Sequence, residues 1–134
     1  MSGDHAHGSA VGVPGDAKKP ARVVQVVMRE DDGRMVFVPD RIVAKRGEQI
    51  RFVLVNNGEL DHEFVLGSTA EISAHAEAMK TMPDMAHDEP NSRAVKQKER
   101  AGLLWRFASA GEFVFACLIP GHLEAGMKGT IIVK

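Results

Sequence analysis

The chain has 134 residues, 44% hydrophobic and 26% charged, with a net charge of −1, enough for one domain with a substantial core. The near-neutral balance excludes the basic field that gathers nucleic acid or an anionic membrane, and no apolar run approaches the ~20 residues needed to span a bilayer. A single cysteine, Cys117, excludes an internal disulfide and leaves any thiol chemistry to one side chain.

Residues 1–20 are rich in Gly, Ala, Pro, His and Asp without periodicity and are expected to form a flexible leader, with one domain over residues 21–134. The first residues lack the charged-then-apolar pattern of a signal peptide, so a cytosolic protein and a processed start both fit. His5 and His7 fall in the leader, and a chain starting at Gly3 could chelate Cu(II) through Gly3-Asp4-His5. From Arg22 the pattern becomes that of strands. Residues 22–28 are Val-rich, and the turn signal Asp31-Asp32-Gly33 separates them from 35–38. A further short apolar piece covers 42–45. Residues 49–56 alternate, with Ile50, Phe52 and Leu54 on one face, and end at Asn56-Asn57-Gly58. In residues 62–67, His62, Phe64 and Leu66 share a face.

Residues 68–100 interrupt this rhythm. Ser68-Thr-Ala-Glu71 reads as a capping box, 70–80 is rich in helix formers and Pro83 stops the helix. Residues 83–100 are polar and read as a long surface excursion, uncommon in a compact sandwich. The charged runs at 29–34 and 93–100 read as solvated faces. Strands resume with Leu103, Trp105 and Phe107 on one face, a turn at Ala110-Gly111, then Phe113, Phe115 and Cys117 in phase, and a closing strand over 129–134. Seven or eight short strands predict an all-β, antiparallel sandwich with a helical insertion at 68–100.

The informative stretch is Phe113-Val-Phe-Ala-Cys117-Leu-Ile-Pro-Gly-His122-Leu-Glu-Ala-Gly-Met127. A thiolate, an imidazole and a thioether on one short loop form a set suited to copper, and a Cys/His/His site with a weak axial Met characterises blue-copper centres. Pro120-Gly121 and Gly126 allow the loop to reverse around one ion. The second imidazole must come from elsewhere. His62, at a strand start and in phase with Phe64 and Leu66, is the best candidate. The competing reading makes Cys117 a buried core thiol, with His122 and Met127 incidental.

With these residues in view, the sequence over roughly 22–134 resembles the cupredoxin (plastocyanin/azurin-like) family. Its Cys-x4-His-x4-Met spacing is similar to the rusticyanin type. Asp61-His-Glu-Phe-Val-Leu-Gly67 and Phe115-Ala-Cys-Leu-Ile-Pro-Gly-His122 resemble periplasmic copper-tolerance cupredoxins. The resemblance implies a Greek-key β-sandwich or barrel and a type 1 copper with His62, Cys117 and His122 equatorial and Met127 axial. It also implies a periplasmic location, this chain being the mature form or one made without its signal peptide. Two features depart from the family: the insertion, and Glu63, where several members carry a small polar residue beside the first ligand. Copper centres with two cysteines are excluded, and so is the His-flanked Cys that wires a type 1 site to a second copper, since Ala116 and Leu118 flank Cys117.

The insertion also carries His75, Met79, Met82, Met85 and His87. Thioethers and imidazoles select Cu(I), so a second, Cu(I) site is one reading; packing of Ile72, His75 and Met79 onto the sandwich is the other. The expectation is a monomeric protein that tolerates or handles periplasmic copper through a redox-active mononuclear centre and meets redox or copper-trafficking protein partners. A one-electron carrier of a respiratory or photosynthetic chain, and a scaffold that has lost its redox role, are the alternatives. No enzymatic reaction is expected, Cu(I) oxidation being the one exception left open.

Overall fold

The computed structural model describes residues 10–82 and 89–134. Within them lie ten strands and one helix: β1 (Val13–Pro14), β2 (Arg22–Asp31), β3 (Arg34–Val38), β4 (Arg41–Ala44), β5 (Gln49–Asn56), β6 (His62–Gly67), α1 (Thr69–Thr81), β7 (Ser92–Val95), β8 (Arg100–Arg106), β9 (Gly111–Ala116) and β10 (Lys128–Val133). They form two five-stranded sheets, ordered β1-β8-β5-β2-β3 and β4-β10-β9-β6-β7. The all-β sandwich with a helical insertion is therefore what the chain adopts.

Local chemistry accounts for most of these elements. Asp32 and Gly33 both take positive φ, 55° and 86°, the geometry that closes a tight hairpin between β2 and β3. Ser68 caps α1 as the sequence predicts: Glu71 N–H donates to the Ser68 hydroxyl, and Ser68 N–H donates to the Glu71 carboxylate. The inward rows of both sheets meet in one core that contains Phe37, Phe52, Phe64, Trp105, Phe107, Phe113 and Phe115. Phe64 is its hub, stacked on Phe115 at 5.1 Å, tilted against Phe52 at 5.2 Å and edge-on to Phe37 at 6.0 Å. Each such pair adds about 0.5–1.5 kcal/mol beyond simple burial.

Three expectations are corrected. The sandwich is not wholly antiparallel, since β2 runs parallel to β5 and β4 parallel to β10. Hairpins force antiparallel pairing, but the chain leaves β3 for the other sheet before returning at β5, and such a crossover permits either direction. Residues 10–20, expected as leader, are built into the sandwich. Val11 is fully buried, its carbonyl accepts from the Trp105 indole at 3.1 Å, β1 pairs with β8, and Gln49 exchanges hydrogen bonds with Asp16. The excursion contains β7, which pairs with β6; its Ser-Arg-Ala-Val sequence carries no clear alternation. Residues 1–9, with His5 and His7, and residues 83–88 lie outside the described residues.

β6 is buried along its whole length because both of its faces are covered. Phe64 and Leu66 face the main core, while Val65 joins Ala116, Leu118, Ile72 and Met79 in a second cluster under α1. Replacing Phe64 with Ala should lower unfolding stability by about 3–5 kcal/mol, measured by chemical denaturation of the metal-free protein.

Candidate metal centre

Three of the four residues singled out for a metal converge by their donor atoms. His62 opens β6, and Cys117 directly follows β9, which pairs with β6. Past Cys117 the chain makes a compact loop in which His122 N–H donates to Ile119 O and Met127 N–H to His122 O. Gly121 and Gly126 take φ of 90° and 99°, the left-handed region open to glycine, and the loop closes where Cys117 N–H donates to Met127 O at 3.1 Å.

The result is a tight group of donors. His62 Nδ1 lies 3.2 Å from His122 Nδ1, and Cys117 Sγ lies 3.4 Å from His122 Nδ1. All three ligand atoms fall within 4.8 Å of one another. His62 is 1% exposed, Cys117 and Met127 0% and His122 9%, so the loop histidine alone approaches the surface. Met127 shares the core cluster with Cys117.

The electrostatics suit a cation. Burial pushes the Cys117 thiol up to about 12, partly opposed by the backbone N–H groups of Glu63 and Ile119. Burial, and then the neighbouring His62, lower the pKa of His122, which keeps that imidazole neutral at pH 7. Two imidazoles and a thiol, shielded from water, are a donor set for a soft or borderline metal. A bound cation reverses the balance at sulfur, since a coordinating thiol is deprotonated outright.

Sequence reasoning missed two supporting residues, Glu30 and Asn56, and marked a third, Glu63, without assigning its contacts. Glu30, read as part of a solvated face, turns inward and accepts a hydrogen bond from His62 Nε2 at 2.7 Å. Burial pushes its carboxyl up, but the Glu59 N–H and the His62 imidazole outweigh that and hold it below the ordinary carboxylate value. A signal was present: Glu30 falls in phase with the buried Val26 and Met28 of β2. Asn56, read only as a turn residue, is fully buried. It donates to Leu60 O and Val95 O and accepts from Gly58 N–H, shaping the turn before His62. Glu63 is 2% exposed, and its carboxylate accepts from Leu118 N–H at 3.1 Å. The bond to the sulfur comes from Glu63 backbone N–H at 3.3 Å, so the unusual side chain does not remove it.

Known proteins agree with this chemistry. Residues 24–134 match the copper binding proteins of the plastocyanin/azurin family. The chain belongs to the plastocyanin/azurin family. The copper-resistant cuproprotein CopI of Rubrivivax gelatinosus is 48% identical to this cupredoxin over 99% of this chain and 80% of its own length. The CopI of Pseudomonas aeruginosa is 37% identical over 96% and 85%. Among solved structures, auracyanin B superposes with a TM-score of 0.72 at 26% identity, covering 92% of this chain and 96% of its own.

The second constellation of this cupredoxin is only partly in view. Met79 is 2% exposed and packs with Ile72, Val65, Ala116 and Leu118, while Met82 is 55% exposed. His75 Nδ1 stands 3.9 Å from a Glu89 carboxylate oxygen. Met85 and His87 lie outside the described residues. Among the described residues, the one group of three His, Cys, Asp or Glu side chains placed to hold a metal is His62, Cys117 and His122, and no helix is long and apolar enough to cross a membrane.

The Asn56 network predicts its own cost. Asn56→Ala removes the side-chain partner of the buried Val95 carbonyl and Gly58 N–H, and of the part-buried Leu60 carbonyl, so the metal-free protein should lose about 1–3 kcal/mol of stability, measured by thermal or denaturant unfolding.

Proposed function

We propose that this cupredoxin holds one type 1 copper ion through His62 Nδ1, Cys117 Sγ and His122 Nδ1, with the Met127 thioether as a weak fourth donor, and that it serves copper tolerance in the periplasm. The observation that carries the ligand set is the convergence of one sulfur and two nitrogens within 4.8 Å in a buried site. Copper, when bound, supplies a one-electron couple between Cu(I) and Cu(II). The chain's part is to fix the donors, exclude water and leave only the His122 edge near the surface. The tolerance reading draws on the two relatives named copper-resistant cuproproteins. Its partners would be redox or copper-trafficking proteins, met by a monomer that acts as a carrier rather than an enzyme.

A second reading, a one-electron carrier in an energy-conserving chain, draws on the surface near His122. Ile119, Pro120 and Leu123 flank the loop histidine in sequence and remain partly or fully exposed, apolar surface of the kind that docks partner proteins. A further Cu(I) site in the insertion would draw on Met82, Met85 and His87, Met79 being committed to packing.

Loading the metal-free protein with Cu(II) should give a sulfur-to-copper charge-transfer band at one copper per chain, absent in Cys117→Ala; a wild-type protein without the band would reject the ligand set. Under reducing conditions, more than one Cu(I) per chain, falling back to one in Met82→Leu/Met85→Leu, is the outcome expected of an insertion site. In copper-stressed cells lacking the gene, rescue by wild type but not by Cys117→Ala supports tolerance. Normal growth under copper with impaired electron flow would favour the carrier.

A further inference from the structure

A histidine that binds a metal through one nitrogen nearly always donates the other N–H to a defined acceptor, which fixes the tautomer and the basicity of the ligand. At His62 the two nitrogens have opposite partners. Nδ1 faces His122 Nδ1 at 3.2 Å, while Nε2 meets Glu30 Oε2 at 2.7 Å. An ionised carboxylate only accepts hydrogen bonds, so Nε2 carries the proton and the Nδ1 lone pair is turned to the metal site.

The carboxylate is held in place rather than resting there by chance. Its other oxygen accepts from Glu59 N–H at 2.7 Å, and its backbone position continues the inward row of Val26 and Met28. The turn before His62 is also cut to receive it. A Cβ on Gly58 would lie 2.2 Å from Glu30 Oε2 and 2.9 Å from Oε1, and the three nearest atoms it would meet all belong to this carboxylate. Gly58 is thus required for space at that point.

We propose that Glu30 is a positioning residue of the copper centre: its carboxylate holds His62 in the Nε2–H tautomer and sets a negative charge one imidazole away from the metal, shifting the balance of the site from Cu(I) towards Cu(II). This rests on His62 being a ligand. A carboxylate attracts a dication more than a monocation at the same distance, so its loss weakens Cu(II) more than Cu(I) and raises the reduction potential.

Three variants separate charge, contact and fold. Glu30→Gln removes the charge but keeps an oxygen acceptor. Glu30→Ala removes both. Gly58→Ala leaves Glu30 intact and drives its carboxylate away from His62. Cu(II) and Cu(I) affinities and the reduction potential of each would be measured, together with the nitrogen-15 NMR signature of His62 in the metal-free protein. Loss of this acceptor should weaken Cu(II) binding by about 10–100-fold, with a smaller loss for Cu(I), and each tenfold change in their ratio raises the potential by about 59 mV for a one-electron couple. Glu30→Ala and Gly58→Ala should also mix the His62 tautomers, whereas the wild type holds Nε2–H.

An unchanged Cu(II)-to-Cu(I) ratio in Glu30→Gln, or a wild-type His62 protonated on Nδ1, would overturn the proposal. So would Gly58→Ala with wild-type copper preference. Failure of the ligand set looks different: His62→Ala would bind Cu(II) as tightly as wild type, while the tautomer measurement needs no copper and would stand.

Discussion

Three side-chain donors, all largely shielded from water, are held within reach of a single ion, and the fold is arranged around that convergence. His62 Nδ1, His122 Nδ1 and Cys117 Sγ lie within 4.8 Å, each on a different kind of support: a strand start, a loop and a strand end. The pairing of β6 with β9 sets the register between the first and the last of these. The reversed backbone at Gly121 and Gly126 brings the loop histidine back over them. Closure by Cys117 N–H to Met127 O leaves little slack. A frame this constrained changes little when the charge at its centre changes, the property a one-electron site needs.

The supports are themselves enclosed. On β6 and β9 the residues that alternate with the ligands would normally face solvent in a two-sheet sandwich, but here α1 lies over them. Val65, Ala116 and Leu118 pack against Ile72 and Met79, and Glu63 is sealed in the same region with its carboxylate tied to Leu118 N–H. The helix therefore stiffens the ligand strands from outside the sandwich, giving the insertion a mechanical role independent of any metal chemistry of its own.

How far the sequence could be read depended on whether a signal was local. Cys117, His122 and Met127 were legible because their spacing lies in one loop, and His62 because its phase with Phe64 and Leu66 marks an inward face. The helix was legible from its own capping residues. Glu30 was not, because a carboxylate at a strand end looks solvated until its partner, 32 residues away, is known. The same holds for residues 10–20, whose order comes from Trp105 and Gln49 rather than from their own composition. It holds too for β7, which takes its place from β6, and for the parallel pairs, whose direction depends on a crossover between sheets.

The depth of Cys117 has a consequence for the protein before it meets metal. Oxidation and disulfide exchange proceed through the thiolate, and a thiol pushed up to about 12 is almost wholly protonated at neutral pH. Its sulfur is also fully buried, beyond reach of a glutathione-sized reagent. The metal-free protein therefore keeps its one sulfur donor chemically dormant. Only an ion small enough to enter between two imidazoles, and charged enough to displace the proton, can awaken it.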